Sequence, residues 1–362
     1  MQKRIRIKDI ARMAGVSAGT VDRIIHGRGS VSKKSKEVVE SILREVNYRP
    51  NIHMSSISLK KTYNILFVAP GFAEGEYWES IYKGIQRALN VFENISVNCS
   101  IMTYNQYDVY ACREVFESAL EPDFDAVIIG PIFQHETREF CRKLKMKNIP
   151  YVFVDSNVED TSPLAYFSAN HYISGYLMCR LIHSIMQNGK DIGIMQAMRV
   201  GNESANSTIL RKNGFSDYQK ENRLKNKIHR IPFSATEPES NEQLFNDFFS
   251  ENDNIGGIVV LNSRGYVIAN YLHKKKIKDM KVVCVDLTDA NKKALKKGHI
   301  DFLIGQKPER QGYLAMKFLI EHLIYKIPVK VANILPLDIL TRETIDLYSE
   351  FNDLVYLDQY EK

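Results

Sequence analysis

The first fifty residues place apolar side chains at helical spacing in three groups, which turn and cap residues separate. A first helix is predicted over 7–14. Gly15 supplies a tight turn, and Ser17 stands at the N-cap position of a second helix. Ser32 is placed to cap a third helix. The positions at helical spacing in the second and third helices are Thr20, Val21, Ile24 and Ile25, then Val38, Val39, Ile42, Leu43 and Val46. This pattern predicts a helix-turn-helix followed by a third helix, a layout that can place one short helix in the major groove of DNA.

From Tyr63 onward the pattern changes to short apolar runs that alternate with amphipathic stretches. Residues 65–69 read as a buried strand, and the apolar positions from Trp78 to Phe92 follow helical spacing. Further strand-like runs lie at 126–129, 151–154, 192–195, 257–261 and 282–285. Strands that alternate with helices predict parallel sheets covered by helices on both faces. Because about 300 residues exceed what one hydrophobic core usually carries, two α/β lobes are expected.

Charge is distributed unevenly between the two parts. Residues 1–61 hold fourteen Lys or Arg and five Asp or Glu, a net charge of +9, whereas the remainder of the chain has a net charge of −3. A basic N-terminal part on a near-neutral body suits contact with DNA phosphates at that part alone.

Composition and motifs argue against several other classes. No run approaches the ~18 apolar residues of a membrane helix, and the basic N-terminus lacks the apolar segment of a signal peptide, so we expect a cytoplasmic chain with no membrane partner. The five cysteines are widely spaced without a C-x-x-C, and the nine histidines show no H-x-x-x-H, so we expect no metal and no cofactor. There is no G-x-x-x-x-G-K-[ST] loop, and the G-x-S-x-G string at 15–19 lies between two predicted helices rather than after a strand, as a nucleophile elbow would. An enzyme is therefore not expected.

The N-terminal segment resembles the headpiece of the lactose-repressor (LacI/GalR) family of bacterial transcription regulators. The residues that carry the resemblance are Asp9-Ile10-Ala11, Ala14-Gly15-Val16-Ser17, Thr20-Val21, Arg23, Val31-Ser32, Asn47-Tyr48 and Pro50-Asn51. The resemblance implies a DNA-binding headpiece over 1–50 and a hinge helix or linker over 51–62. The alternative for 51–62 is a flexible Ser/Lys linker, and its three serines suggest that DNA is needed to order it.

The same resemblance implies which residues contact DNA. They are Ser17, Ala18, Gly19, Thr20, Asp22, Arg23, His26 and Ile57. Ala18 and Gly19 are too small for bidentate base contacts, so we expect Arg23 to carry most of the direct readout, at a guanine edge. Asp22 replaces the usual serine at a phosphate-facing position, where a carboxylate repels DNA unless a neighbouring arginine compensates. Ile57 takes the place of an apolar wedge that enters the minor groove.

The body resembles the periplasmic sugar-binding fold that serves as the effector domain in this family, from 63 to about 348. The implied effector-binding domain spans 63–362, with one lobe at about 63–167 and 306–335, the other at about 168–303 and 336–362, and crossings near 166–169, 301–305 and 335–338. The expected fold class is therefore an all-α helix-turn-helix headpiece plus a periplasmic-binding-protein-like α/β domain of two doubly wound parallel-sheet lobes.

Candidate ligand residues stand directly after predicted strands, because ligands in open α/β sheets bind beyond the carboxyl ends of the strands. Asn262, Asp286 and Gln306 occupy such positions, and Arg211 lies in R-K-N-G-F. In sugar-binding members of the resembled fold these four types converge on the ligand in this order, and an aromatic pair stacks on the sugar ring. The full expected set is Tyr77, Trp78, Phe133, Asp155, Arg211, Asn262, Asp286 and Gln306. Carboxylate, guanidinium and amide groups suit hydroxyls, and aromatic faces suit C–H groups, so a polyol is favoured.

Alternatives remain at several of these positions. Asp286 could cap the following helix, Asn262 could be a turn residue, Arg211 a solvated charge and Trp78 a core residue. Sugar-binding relatives often carry an aspartate where this chain reads Pro131-Ile132-Phe133. This departure favours a larger or less hydroxylated ligand, so a purine stays open.

The function expected from the sequence is that of a transcription regulator, a repressor, whose operator affinity a small ligand controls. The expected partners are operator double-stranded DNA, a small-molecule effector (a sugar) and a second copy of the chain. A dimer is favoured because residues 347–362 show no leucine heptad for a tetramerising coil. The competing interpretation, a free sugar receptor, is disfavoured by the basic headpiece.

Overall fold

The computed structural model describes residues 7–25, 31–45, 61–201, 204–325 and 330–348. The predicted DNA contacts His26 and Ile57, the helix position Val46 and residues 51–60 of the hinge lie outside the described residues.

Three short helices form the headpiece, and they confirm the predicted helix-turn-helix. They are α1 (Ile7–Ala14), α2 (Ala18–Ile25) and α3 (Lys33–Glu45). Gly15 has a φ of 65°, a left-handed conformation that glycine adopts without a steric penalty. Ser17 Oγ accepts a hydrogen bond from the backbone N–H of Thr20 at 3.1 Å, and Ser32 Oγ accepts one from Ser35 at 3.1 Å. The two predicted N-caps are therefore confirmed.

A small apolar core holds these three helices together. Ile10, Val21 and Val39 are fully buried in it, one from each helix. Val38 was predicted to share this stripe, but it is 39% exposed. The prediction was wrong at this position because adjacent helical residues point about 100° apart, and Val39 already takes the inward direction.

After the headpiece, strands and helices alternate. In chain order they are β1 (Tyr63–Pro70), α4 (Tyr77–Val91), β2 (Val97–Tyr104), α5 (Val109–Ser118), β3 (Ala126–Ile129), α6 (Gln134–Met146), β4 (Tyr151–Asp155), β5 (Ala165–Ala169), α7 (His171–Ile185), β6 (Asp191–Ala197), α8 (Asn206–Glu221), β7 (Ile228–Phe233), α9 (Asn241–Glu251), β8 (Ile255–Val260), α10 (Gly265–Lys274), β9 (Lys281–Val285), α11 (Asp289–Lys296), β10 (Phe302–Gly305), α12 (Pro308–Tyr325), β11 (Ala332–Leu335) and β12 (Asp338–Leu340). None of the described helices combines the length and hydropathy needed to span a bilayer.

The described strands form two sheets, each the centre of one lobe. In lobe 1 the order is β11-β5-β4-β3-β1-β2, and all pairs are parallel. In lobe 2 the order is β12-β10-β9-β8-β6-β7, with β12 antiparallel at one edge. The central strands are apolar and buried, which is why their runs were visible in the sequence. The expected pair of parallel-sheet lobes is thus confirmed.

The chain passes between the lobes three times. It leaves lobe 1 after Ala169, returns between Gly305 and Pro308, and leaves again between Leu335 and Asp338. The first two crossings lie slightly later than predicted. Residues 166–169 pair with β4 and β11 in lobe 1, and residues 302–305 pair with β9 and β12 in lobe 2, so both segments belong to sheets rather than to crossings.

Candidate functional site

Two aspartates occupy matching places in the two lobes and face the cleft. Asp155 ends β4 of lobe 1, and Asp286 follows β9 of lobe 2. Both have positive φ, 69° and 75°, a conformation that aspartate tolerates better than most residues. They are only 4% and 5% exposed. Two buried carboxylates need hydrogen-bond partners, because an unpaired buried charge is costly.

The carboxylate of Asp155 receives two hydrogen bonds from lobe 1. Tyr77 Oη donates to Oδ1 at 2.8 Å, and Ser156 Oγ donates to Oδ2 at 2.9 Å. Burial raises the pKa of Tyr77 well above its usual value, and the negative charges of Asp155 and Asp286 raise it further. Tyr77 therefore stays protonated and acts as a donor, which holds the Asp155 carboxylate in place.

The carboxylate of Asp286 is the end of a short polar chain in lobe 2. Ser263 Oγ donates to Oδ2 at 2.8 Å, and Gln306 Nε2 donates to Oδ1. Arg211 Nη2 in turn donates to Gln306 Oε1 at 2.8 Å. Burial raises the pKa of Asp286, while Arg211, Gln306 and Ser263 oppose that rise. Three predicted ligand residues thus form one hydrogen-bonded chain, from Arg211 through Gln306 to the Asp286 carboxylate.

Arg211 also has a donor without a protein acceptor. Its side chain is 2% exposed, and Nη1 donates to the carbonyl oxygen of Leu261 at 2.8 Å. Within the described part of the chain, no acceptor lies within hydrogen-bond distance of Nε. A buried guanidinium N–H of this kind can donate to an oxygen atom of a ligand.

A histidine that the sequence analysis did not select links the two lobes. Arg211 Nη2 donates to His171 Nδ1 at 3.0 Å, and His171 Nε2 lies 2.8 Å from the carbonyl oxygen of Asp155. Burial, and then the positive charge of Arg211, lower the pKa of His171 to about 4. The ring is therefore neutral near pH 7. Because Arg211 can only donate, Nδ1 must accept, so the proton is on Nε2 and is donated to Asp155.

The lowered pKa of His171 predicts a loss of stability in mild acid. An unfolded histidine titrates near 6.5, so below that pH the unfolded chain binds a proton that the folded chain, with a pKa of about 4, does not. The contribution of His171 to the free energy of unfolding is fully present above pH 6.5 and is lost as the pH falls toward 4. Between pH 7.5 and 5 the free energy of unfolding should fall by ~2 kcal/mol through this group. Urea unfolding at these two pH values should show a smaller loss in His171→Gln than in the wild type. An equal loss in both would contradict the assignment.

The lobes meet directly across the cleft. Besides the His171 contact, the cross-lobe hydrogen bonds include Arg264 Nη1 to Glu76 Oε1 (2.6 Å), the N–H of Val200 to Tyr107 O (2.8 Å), Gln134 Nε2 to Asn206 Oδ1 (2.6 Å), Asn206 Nδ2 to Asn157 O (2.8 Å) and the N–H of Asp289 to Gly75 O (3.0 Å). A Cβ on Gly75 would lie 2.7 Å from the Asp289 carboxylate, so only glycine permits this approach. Burial opposes the positive charge of Arg264, but Tyr107, Tyr266 and Glu76 raise its pKa. This is a closed arrangement, and a ligand must enter through an opening of the lobes.

The remaining predicted ligand residues differ in their placement. Trp78 belongs to the apolar core of lobe 1, where its ring lies against Gly130. Phe133 is fully buried at the start of α6, and the Arg199 guanidinium lies 5.8 Å from its ring centre. Asn262 lines a cavity of about 10 Å³, room for about one water molecule. Its Oδ1 accepts from the N–H of Arg264 at 3.0 Å.

In the headpiece, the predicted base-reading face is open. Ser17, Gly19 and Arg23 are exposed, and Ala18, Thr20 and Asp22 are half-buried. Since Ser17 caps α2 and its Oγ lies 2.9 Å from Thr20 Oγ1, part of this predicted contact set also holds the start of α2.

Most residues that form contacts between the lobes carry no signal in the sequence. His171, Gln311, Arg264 and Asn206 are named in no motif, and their contacts join residues far apart in the chain. A local signal existed for His171 alone. It comes two residues after a strand, and Asn262, Asp286 and Gln306 likewise come one or two residues after theirs. That strand, β5, was not recognised because its apolar run is only three residues long in AYFSA before a serine interrupts it.

Comparison with known families accounts for both parts of the chain. Residues 6–51 match bacterial regulatory proteins of the lacI family, and residues 65–326 match the periplasmic binding protein domain. A crystal structure from Bacteroides fragilis, of a protein assigned as a LacI transcriptional regulator, has a TM-score of 0.76 and 31% identity, covering 80% of this chain and 100% of that chain.

Two further relatives match less closely. Catabolite control protein A of Staphylococcus aureus is 26% identical over 157 residues, 43% of this chain and 45% of that protein, so the match spans less than half of this curated relative. GanP, a glucose-galactose binding protein from Geobacillus stearothermophilus, has a TM-score of 0.67 and 18% identity, covering 78% of this chain and 99% of that chain. At this identity the likeness shows the fold alone.

The matches confirm the resemblance that the sequence indicated, and they point to regulatory proteins rather than enzymes. Taken with the helix-turn-helix of α1 and α2 and the two parallel-sheet lobes, they establish that the chain belongs to the lacI family of bacterial regulatory proteins.

Proposed function

We propose that this chain is a cytoplasmic transcription regulator, a repressor, whose affinity for operator DNA is set by a small polyol bound between the lobes. Residues 1–50 form the DNA-binding headpiece, 51–62 the hinge, and 63–362 the effector-binding domain. The observation that carries the ligand half of this proposal is the buried polar set between the lobes. Asp155, Asp286 and Arg211 are each at most 5% exposed, and Arg211 keeps a free Nε–H.

The DNA half rests on the headpiece. Its recognition helix α2 is capped by Ser17 and has an exposed Arg23, and the first 61 residues have a net charge of +9. A short helix with an exposed arginine suits major-groove readout, and the surrounding positive charge suits phosphate contact. DNA in the cell lies in the cytoplasm, which is the location this partner requires.

A sugar fits the cleft better than the alternative ligand, a purine. Carboxylate acceptors and a guanidinium donor match adjacent hydroxyls. Both members of the aromatic pair belong to the core of lobe 1, and Tyr77 is the one whose hydroxyl joins the polar set.

A ligand in this cleft would act by favouring one angle between the lobes. Tyr77 and Asp155 belong to lobe 1, whereas Arg211 and Asp286 belong to lobe 2. A ligand that touches both sides shifts the lobe equilibrium by its differential affinity for the open and closed forms. The hinge joins lobe 1 at β1, so the change reaches the headpieces there. We propose that the ligand releases DNA.

Thermal shift over a panel of sugars and nucleobases tests the ligand proposal. A ligand at 100 times its dissociation constant raises the free energy of unfolding by about 2.7 kcal/mol. We expect a sugar to raise the melting temperature. A shift by nucleobases alone would favour the purine alternative, and a panel without any shift would contradict both. Retention on heparin that falls with salt, for the full chain but not for residues 63–362, tests the DNA half.

The functional unit is expected to be a two-fold dimer on a near-palindromic operator. One headpiece buries too little surface for strong specificity, and two half-sites double the phosphate and base contacts. Light scattering at micromolar concentration should therefore give twice the mass of one chain. A monomer that binds the operator with unchanged affinity would contradict this prediction.

A further inference from the structure

A ring of hydrogen bonds, which we call the hinge ring, joins the two lobes beside the first two crossings and is separate from the hinge at 51–62. Its members are Asp155 at the end of β4, Gln311 on α12, Gln306 in the second crossing, Arg211 on α8 and His171 at the start of α7. The bonds run from the Asp155 N–H to Gln311 Oε1 (2.8 Å), from Gln311 Nε2 to Gln306 O (2.9 Å), from Arg211 Nη2 to Gln306 Oε1 (2.8 Å) and to His171 Nδ1 (3.0 Å), and from His171 Nε2 to Asp155 O (2.8 Å).

Every member of this hinge ring is buried, with none more than 4% exposed. Asp155 and Gln311 belong to lobe 1, whereas Arg211 and His171 belong to lobe 2. The ring therefore closes only at one relative position of the lobes. A change in the angle between them must break a bond in the ring or turn the Arg211 guanidinium, and in a buried site a lost bond leaves a polar group unpaired.

His171 is the member that joins the lobes beside the first crossing. It follows Asn170, the N-cap of α7, whose side chain accepts from the N–H of Ile173 at 3.0 Å. The cap fixes the first turn of α7, so the backbone of His171, from which the imidazole extends, is held in place. The imidazole of His171 accepts a hydrogen bond from lobe 2 at Nδ1 and donates one to lobe 1 at Nε2. The orientation of Arg211 therefore depends on the relative position of the two lobes.

We propose that His171 is a positioning residue, which orients the ligand-binding Arg211 from beside the first crossing and thereby couples the angle between the lobes to the cleft. This inference rests on the proposed role of Arg211 in ligand binding. Glutamine can replace His171 in this role, because its amide offers one acceptor and one donor in a similar arrangement. Leucine keeps bulk but offers neither.

The test measures the distance between the lobes in the full chain by double electron–electron resonance, without ligand or DNA. Nitroxide labels are placed at Met146→Cys in lobe 1 and Lys220→Cys in lobe 2, whose native side chains are 72% and 78% exposed. The half-buried Cys99 is replaced by serine, and the other four cysteines are buried. The labelled chain is mixed with an excess of unlabelled chain, so that each assembly contains at most one labelled chain.

We expect His171→Leu to move at least half of the distance distribution to longer separations, and His171→Gln to keep the wild-type distribution. Gln311→Leu breaks the ring at another bond, so it should give the same change, and the double variant should add nothing further. An unchanged distribution in His171→Leu, a glutamine variant that behaves as leucine, or additive effects would each overturn the proposal.

A matched control separates positioning from general destabilisation. His183 is a half-buried histidine on the same helix, and its partners, the Cys179 carbonyl and Asn226, both lie in lobe 2. His183→Leu is expected to lower the melting temperature without moving the distance distribution. If it moves the distribution as His171→Leu does, the effect belongs to helix stability and the proposal fails.

The two proposals fail separately. A thermal-shift panel without any hit leaves the distance result intact and removes only the ligand role of Arg211. An identified ligand combined with an unchanged distance in His171→Leu leaves the cleft assignment standing and removes the hinge ring as a coupling device.

Discussion

Replacing Asp286 with alanine is expected to abolish the response of operator binding to the ligand, at the ligand concentration that saturates the wild type. The Asp286 carboxylate is the acceptor at the end of the Arg211–Gln306 chain, and its loss removes an acceptor for ligand hydroxyls on the lobe 2 side. Allosteric coupling typically changes affinity 5- to 150-fold, and the variant should show no change. Operator affinity without ligand should stay near wild type, because the described contacts of Asp286 lie within the effector-binding domain.

Asp286→Asn is the stricter companion variant. Because Asp286 has a φ of 75°, alanine adds backbone strain there, whereas asparagine tolerates the left-handed conformation and keeps the size. Both variants should lose the response. Asp253→Asn, at an exposed loop position of the same lobe, should keep it. Operator binding by fluorescence anisotropy measures all three, and a full response in Asp286→Asn would show that the cleft is wrongly assigned.

Arg23→Ala is expected to weaken operator binding by ~1–3 kcal/mol and to relax the sequence preference at one base pair of each half-site. Arg23 is exposed in the last turn of α2, and its neighbours Ala18 and Gly19 carry no side chain that can make two hydrogen bonds to a base. Arginine donates two parallel bonds to a guanine edge, so its removal costs discrimination as well as affinity.

Arg12→Ala is the matched control in the headpiece. Arg12 lies on α1, outside the recognition helix, with a side chain that is 81% exposed and pairs with Asp9. Its loss should leave the sequence preference unchanged. Selection of DNA sequences from a random pool, repeated for each variant, measures the preference. If Arg23→Ala and the wild type have the same operator affinity and the same sequence preference, Arg23 does not read a base.

The sequence predicted the elements whose signals are local. Caps and turns at Gly15, Ser17 and Ser32 are decided by neighbouring residues, and the three headpiece helices followed. Central strands such as β3 and β9 are continuous apolar runs because both of their faces are covered. The edge strands β2 and β7 were not recognised, since each has exposed positions that break the apolar run.

For the cleft, sequence position identified individual residues but not their connections. Asp286, Gln306 and Arg211 were predicted from strand ends and a family motif, and they form a chain in which Gln306 bonds to both of the others. Whether Trp78 stacks on a ligand or fills the core depends on the three-dimensional position of Gly130, which no local pattern reveals. The hinge ring was invisible for the same reason, because it joins His171 and Gln311 through contacts that only the crossings between lobes create.

The central claim is that the cleft and the headpiece are coupled, and the most direct test is the ligand's dissociation constant measured by calorimetry on the protein alone and on its operator complex. Linkage requires that a ligand which changes operator affinity is itself bound with an affinity changed by the same factor. We expect the ligand to bind the operator complex 5- to 150-fold more weakly than the protein alone, corresponding to ~1–3 kcal/mol. The same dissociation constant in both states would contradict the central claim.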